Sequence, residues 1–193
     1  MSMTIRIIGL VLVVLVLAVG YQLWVNQGYT EVNDVDAQPD ADAPEANEEQ
    51  WPHYTDESFP FTFSYPPDAN VGEENERVKV TYLGPDNTMG SEITDGFTLF
   101  IGTLSESDPE EAAATWLTEE EELGTALEPV EPVSIAGYDG YRFVVETGLG
   151  TEATHYVLAT EGADLLTLSY TVIDPHERGY DTMVEHIVLT LQL

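Results

Sequence analysis

The chain has 193 residues and no cysteine, so disulfides, thiolate metal sites and cysteine nucleophiles are excluded. Its 36 acidic and 5 basic residues give a formal net charge of −31. Such a surface repels the phosphates of nucleic acids and anionic lipid headgroups, so we expect no nucleic-acid partner. An acidic surface with one lysine is typical of proteins adapted to high salt, and a surface that only confers solubility has the same composition.

Residues 5–25 form an apolar stretch in which Gln22 is the only strongly polar residue after Arg6. A helix over residues 7–25 spans roughly 28 Å, close to the thickness of the bilayer's hydrocarbon core. Tyr21 and Trp24 lie near its outer end, where aromatic rings favour the membrane interface. The stretch predicts an N-terminal transmembrane helix that contacts the lipid bilayer through residues 5–25.

The charge distribution predicts the orientation of this helix. Arg6 precedes the apolar residues, and acidic residues but no Lys or Arg follow them before Arg77, so the N-terminus is expected in the cytoplasm and the rest outside. Residues 18–20 (Ala-Val-Gly) also suit a signal peptidase, and cleavage after Gly20 would give a secreted form. The apolar run continues beyond that site and exceeds the usual ~7–15 residues of a signal peptide, which favours an uncleaved signal anchor in the cell membrane.

Three segments follow from these patterns. Residues 1–25 are the predicted anchor. Residues 26–50 are acidic, with almost nothing apolar to bury, and this composition predicts a disordered linker. Residues 51–193 are long enough to form one domain with its own core.

The first half of this domain predicts three strands and a helix. Aromatic residues alternate over residues 59–65, and apolar residues over 78–82 and 97–104, as expected for strands. Asp108 and Pro109 have the N-cap and N1 chemistry of a helix start, and Gly124 is expected to end that helix. Its predicted buried residues are Ala112, Ala113, Trp116, Leu117 and Leu123.

The second half predicts a short strand at 133–135, then a meander of strands over 141–147, 154–160 and 166–172. Asp174, Pro175 and Glu177 suggest a capping box that opens a second helix, and residues 189–193 suggest a last short strand. The predicted fold class is α+β. It has an antiparallel sheet of about six to seven strands, covered on one side, with two helices packed on it and the transmembrane helix before it.

Several of these features together resemble bacterial PsbP-like domains, which are related to the extrinsic photosystem II subunit. They are the aromatic strand followed by Pro66, the helix around Trp116, the segment 133–141 with Gly137 and Gly140, the meander, and the last helix. The resemblance covers residues 54–193. It implies an antiparallel sheet with helices packed on it, in an extracytoplasmic accessory protein.

No motif indicates catalysis, so we predict no catalytic, cofactor-binding or metal-binding residue, no cofactor, and no enzymatic activity. Residues 148–153 match G-x-G-x-x-A, but a strand is expected after them where a dinucleotide site needs a helix. No two histidines have metal-ligand spacing, and each is expected at the surface or hydrogen-bonded. They are His53, His155, His176 and His186. Lys79 is expected in solvent on the polar face of a strand.

These observations favour a membrane-tethered extracytoplasmic accessory or binding domain without catalysis, whose partner is an unknown protein. The alternatives are an extracytoplasmic hydrolase that uses an unrecognised pair of carboxylates, and a secreted, cleaved form of the same domain. A deep cleft with converging carboxylates would favour the hydrolase, and a shallow sheet face would favour binding.

Overall fold

The computed structural model describes residues 51–87 and 93–193. These residues form nine strands and two helices, which are numbered here in chain order. The strands are β1 (His53–Tyr54), β2 (Phe63–Ser64), β3 (Asn70–Glu74), β4 (Arg77–Leu83), β5 (Gly96–Leu104), β6 (Thr125–Ile135), β7 (Tyr138–Glu146), β8 (Glu152–Leu158) and β9 (Leu165–Ile173). The helices are α1 (Pro109–Glu121) and α2 (Tyr180–Leu189).

Seven of the strands form one antiparallel sheet in the order β3-β4-β5-β9-β8-β7-β6. The hairpins β3–β4, β4–β5, β6–β7, β7–β8 and β8–β9 join sequence neighbours, and the pairing of β5 with β9 brings the two halves together. Strands β1 and β2 form a separate two-stranded ribbon. The predicted α+β class, with a seven-stranded antiparallel sheet and two helices, is confirmed in this part of the chain.

The two helices lie on opposite faces of the sheet, which corrects the prediction of a sheet covered on one side. Side chains alternate between faces along a strand, and along β8 Tyr156 and Leu158 belong to one core whereas Ala153 and Val157 belong to another. Helix α2 packs on β5, β9 and β2 in the first core. Helix α1 packs on β6, β7 and β8 in the second.

The start of α1 is as predicted, but its end is not. The Asp108 carboxylate accepts hydrogen bonds from the backbone N–H groups of Glu110 and Glu111, so it caps the helix. The helix ends at Glu121, and Leu123 lies beyond it with 79% of its surface exposed. Its predicted burial is therefore wrong, because the last residues of the apolar pattern lie in the turn that follows the helix.

The predicted start of the second helix is wrong by five residues. Helix α2 begins at Tyr180, after Gly179 in the left-handed conformation with φ 78°. The Asp174 carboxylate instead accepts hydrogen bonds from the backbone N–H groups of Arg178, Gly179 and Tyr180. Asp174 thus accepts hydrogen bonds from the amides of the loop that leads into the helix. An Asp in this role cannot be told from a helix N-cap by sequence alone.

Several strand boundaries also differ from the sequence pattern. In the predicted strand 59–65 only Phe63–Ser64 is a strand, and Thr62 pairs by a single bridge with Gln192 in place of the predicted last strand. The predicted strand 133–135 is the end of the longer β6. Strand β3 has an exposed, polar pattern and was not predicted.

None of the helices in the described ranges is long and apolar enough to span a membrane. The predicted anchor at residues 5–25 and the predicted linker at residues 26–50 lie outside the described residues.

Candidate binding surface

Among the described residues, no helix lies over half of one sheet face. Helix α1 covers β6, β7 and β8 on that face, whereas β4, β5 and β9 continue beside them without a covering helix. The strand register places side chains on this face in rows that cross the strands. One row is Lys79, Phe100, Ser169, His155 and Phe143, and the next is Thr81, Thr98, Thr171, Ala153 and Val145. We call the part on β4, β5 and β9 the open face.

A shallow groove of about 680 Å³ lies on the open face. Its floor carries hydroxyl groups from Thr81, Thr98 and Thr171. Apolar side chains form its rim, and two of them are unusually exposed: Leu83 at 56% and Leu149 at 81%. The groove therefore offers hydrogen-bonding groups beside exposed apolar surface, the combination expected of a recognition site.

Two cations lie over the aromatic ring at one end of this face. The Arg77 guanidinium carbon is 4.5 Å from the centroid of the Phe100 ring, and the Lys79 Nζ is 5.3 Å from it. Both contacts have the geometry of cation–π interactions. Gly102 leaves room for the arginine, since a Cβ at that glycine would lie 2.8 Å from the Arg77 Cγ.

Arg77 differs from the other basic residues in its partners. Lys79 binds Glu74 at 2.8 Å, Arg142 binds Glu128, and Arg178 binds both Asp86 and Asp95. Among residues 51–87 and 93–193, Arg77 alone of the four basic residues has no ion pair with a carboxylate. Its guanidinium carbon lies over the Phe100 ring, and no described residue accepts a hydrogen bond from its N–H donors, which suit an anion.

His155 lies on the same sheet face where α1 begins to cover it. The ring is stacked on Phe143 with centroids 4.7 Å apart, and Trp116 meets it edge-on at 4.6 Å. Only 3% of His155 is exposed, and within the described ranges neither ring nitrogen has a hydrogen-bond partner. The prediction of a surface or hydrogen-bonded histidine is therefore wrong for His155. Burial and, as a smaller cause, the positive charge of Arg77 together lower the pKa of its ring to about 4.

The other histidines lie away from the groove or at exposed positions. The Nδ1 atom of His53 is 3.2 Å from the Ser64 hydroxyl across β1 and β2, and the Nε2 atom of His176 is 3.2 Å from the Asp86 carboxylate. The His186 ring packs edge-on against Trp51. In the described part of the chain, no three His, Asp or Glu side chains are grouped so that they could hold a metal ion.

The G-x-G segment lies in the turn between β7 and β8, as predicted for a hairpin. Thr147 and Thr151 close the turn with a backbone hydrogen bond of 2.8 Å, and Gly150 adopts φ 75°. Strand β8 follows, so the helix that a dinucleotide phosphate would need is not there.

The pair of carboxylates that most resembles an acid pair is Asp86 and Asp95, which share an arginine. Asp95 is fully buried, and its Oδ2 atom accepts hydrogen bonds from the Arg178 guanidinium at 2.6 Å and from the Asp86 backbone N–H at 2.9 Å. The hydrogen bond from Arg178 lowers the pKa of the Asp86 carboxyl. Gly84 is required beside them, because a Cβ there would lie 2.2 Å from that same Oδ2 atom. This cluster ties the end of the β4–β5 hairpin to the start of α2.

The burial of His155 predicts a specific loss of stability in acid. The unfolded ring takes up a proton near pH 6.5, whereas the folded ring does so only near pH 4, so stability is full above pH 6.5 and decreases as pH falls toward 4. That shift corresponds to about 3 kcal/mol. His155→Phe keeps the ring stacking and removes the titrating group. Between pH 7 and pH 4 we expect the wild type to lose about 3 kcal/mol more of its free energy of unfolding than this variant loses. Urea unfolding at both pH values measures the difference, and parallel losses in the two proteins would contradict it.

No protein-family model matches the chain. No curated protein matches it either. Among solved structures, a protein from Bacteroides thetaiotaomicron VPI-5482 is similar at 20% identity with a TM-score of 0.43, over 74% of this chain and 48% of that protein. The chain thus spans about half the length of that protein. The solution structure of cyanobacterial PsbP (CyanoP) from Synechocystis sp. PCC 6803 is similar at 11% identity with a TM-score of 0.46, over 74% of this chain and 91% of that protein. Function has to be inferred from this chain's own geometry, since both identities are low and both TM-scores are below 0.5. A PsbP is among the solved structures that this chain resembles, as its sequence features predicted.

Proposed function

We propose that the chain is a membrane-tethered extracytoplasmic binding domain without catalysis, and that the open face is its protein-binding surface. The groove on β4, β5 and β9 is the observation that carries this proposal. It combines threonine hydroxyls on the floor with exposed leucines on the rim. Exposed large apolar side chains next to polar groups are typical of protein-interaction sites.

The chemistry of the groove supports binding over hydrolysis. Nucleophilic catalysis requires a hydroxyl held by a base, and among the described residues no histidine or carboxylate side chain bonds to the floor hydroxyls of Thr81, Thr98 or Thr171. The carboxylates of Asp86 and Asp95 are separated by the Arg178 guanidinium, which keeps them occupied as ion-pair partners. The hydrolase alternative therefore gains no support from this pair.

Tethering suits a binding domain of this kind. The apolar stretch at residues 5–25 would hold the domain at the outer surface of the membrane, and the acidic residues 26–50 would act as a self-repelling spacer. Confinement to a membrane raises the effective concentration of the domain toward a partner in the same membrane, so even a shallow surface can bind it.

The tether predicts the behaviour of the full-length protein on extraction. We expect the intact chain to remain in the membrane pellet through an alkaline carbonate wash, because a spanning helix is released only by detergent. Immunoblotting of pellet and supernatant, with N-terminal sequencing of the mature protein, measures this. Release into the supernatant, or a mature N-terminus at Tyr21, would establish the secreted form instead.

The binding role of the open face predicts a site-specific crosslink. A photo-crosslinking p-benzoylphenylalanine in place of Leu149, on the groove rim, should give a discrete protein adduct in native membranes. The same group in place of Leu189, which is 62% exposed on α2, serves as the matched control and should not.

A second substitution tests whether the groove itself is occupied. Thr98→Tyr fills the floor with a residue that strands accept and should abolish the Leu149 adduct, whereas Thr115→Tyr on the exposed side of α1 should leave it unchanged. Thermal melting by circular dichroism verifies that both variants fold. Equal adduct yields from Thr98→Tyr and the wild type would contradict the proposal.

A further inference from the structure

We infer that the open face recognises a largely apolar polypeptide segment that carries a single carboxylate. Arg77 binds this carboxylate, and the leucine rim binds the apolar side chains next to it. This inference rests on the proposed function and adds the chemistry of the partner. The observation behind it is that, within residues 51–87 and 93–193, Arg77 lies on the open face without a carboxylate partner, whereas Lys79, Arg142 and Arg178 each have one.

The position of Arg77 fits an anion-binding role. The side chain packs against Phe100 and over Gly102, and this packing reduces the rotamer freedom that is lost when a ligand binds. Arg77 as a whole is half-buried, and a partly desolvated arginine bonds to a carboxylate more strongly than a fully exposed one. Lys79 adds positive potential beside it, although Glu74 already offsets that charge.

The length of the face indicates a polypeptide and not a small molecule. Arg77 and Leu83 are on the same face at opposite ends of β4, and six residues of strand span about 20 Å. An extended segment of about six residues covers this distance at about 3.3 Å per residue. We therefore expect the partner to carry an acidic side chain about six residues from an apolar one when its segment is extended.

Charge favours this occupant over the others. A net charge of −31 repels polyanions, so a nucleic acid or an anionic membrane surface is disfavoured. The same repulsion opposes a second copy of the chain. A single carboxylate flanked by apolar side chains would meet the Arg77 guanidinium, which has no carboxylate partner among the described residues, and the apolar rim. One positive charge matches one carboxylate and does not match a dense array of phosphates.

The test uses the full-length chain in native membranes with the crosslinker in place of Leu149. Arg77→Gln should reduce the adduct about tenfold, because a charge-assisted, bidentate contact is lost. Arg77→Lys should retain part of the yield, since it keeps the charge and loses the planar fork. Arg142→Gln removes the same charge from the opposite sheet face and is the matched control, with no expected change. Thermal melting verifies that each variant folds. If Arg77→Gln does not fold, the comparison of Arg77→Lys with the wild type tests the inference.

Mass spectrometry of the adduct identifies its occupant. The expected result is a peptide of another protein with Asp or Glu within about six residues of the crosslinked position. Replacing that acidic residue by Arg in the partner should restore the adduct yield of the Arg77→Glu variant. Adducts on lipid, on a second copy, or on residues 26–50 of the same chain would overturn the inference. A yield abolished by Thr98→Tyr but unchanged in both Arg77 variants would overturn it while leaving the proposed function in place.

Discussion

The architecture depends on how little of a seven-stranded sheet one helix can cover. Strands lie about 4.8 Å apart, and a helix with its side chains is about 10 Å wide, so a single helix covers roughly two or three strands. Helix α1 covers β6, β7 and β8, and no second helix follows it on that face within residues 51–87 and 93–193. On the opposite face, α2 packs on β5 and β9, and the aromatic residues Phe61 and Phe63 belong to the same core. The open face is the part of the α1 side of the sheet, on β4, β5 and β9, that α1 does not cover.

The residues on the open face are suited to that position. Threonine is β-branched and stabilises a strand, and its hydroxyl tolerates water, so the sheet can be solvated there without loss of strand structure. Phe100 is the aromatic exception on β5, and it is shielded by the Arg77 and Lys79 side chains. The cations thus stabilise this surface, and no described residue accepts a hydrogen bond from the Arg77 donors.

Much of the fold could be predicted from local patterns, because period-two alternation and capping chemistry act over a few residues. Strand β5 and the Asp108 cap are examples. The start of α2 could not be predicted in the same way, because Asp174 bonds to loop amides with the chemistry that also caps helices. Strand β3, with its polar exposed pattern, gave no periodic signal.

The candidate surface was harder to predict than the strands. Placement of α1 and α2 on opposite faces depends on the pairing of β5 with β9, which joins distant parts of the chain. When the pairing of the strands is unknown, the threonines of β4, β5 and β9 indicate only a solvent-exposed sheet face. The pattern likewise predicts that Lys79 lies in solvent. In the alternating pattern of β8, His155 occupies a position where a polar, exposed side chain is expected. It is buried because Trp116 and Phe143 pack around its ring. That Arg77 has no ion pair with any described carboxylate can be seen only from side-chain positions and has no signature in the sequence.

Hydroxyl-radical footprinting of the full-length protein tests most directly whether the open face is the binding surface. Oxidation would be compared between native membranes and the detergent-purified protein. Protection in native membranes is expected at Leu83 and Leu149 on the groove rim, with unchanged oxidation at Leu123 beyond the end of α1 and at Leu189 on α2. Equal oxidation of Leu83 and Leu149 in the two preparations, or protection confined to Leu123 and Leu189, would contradict the account.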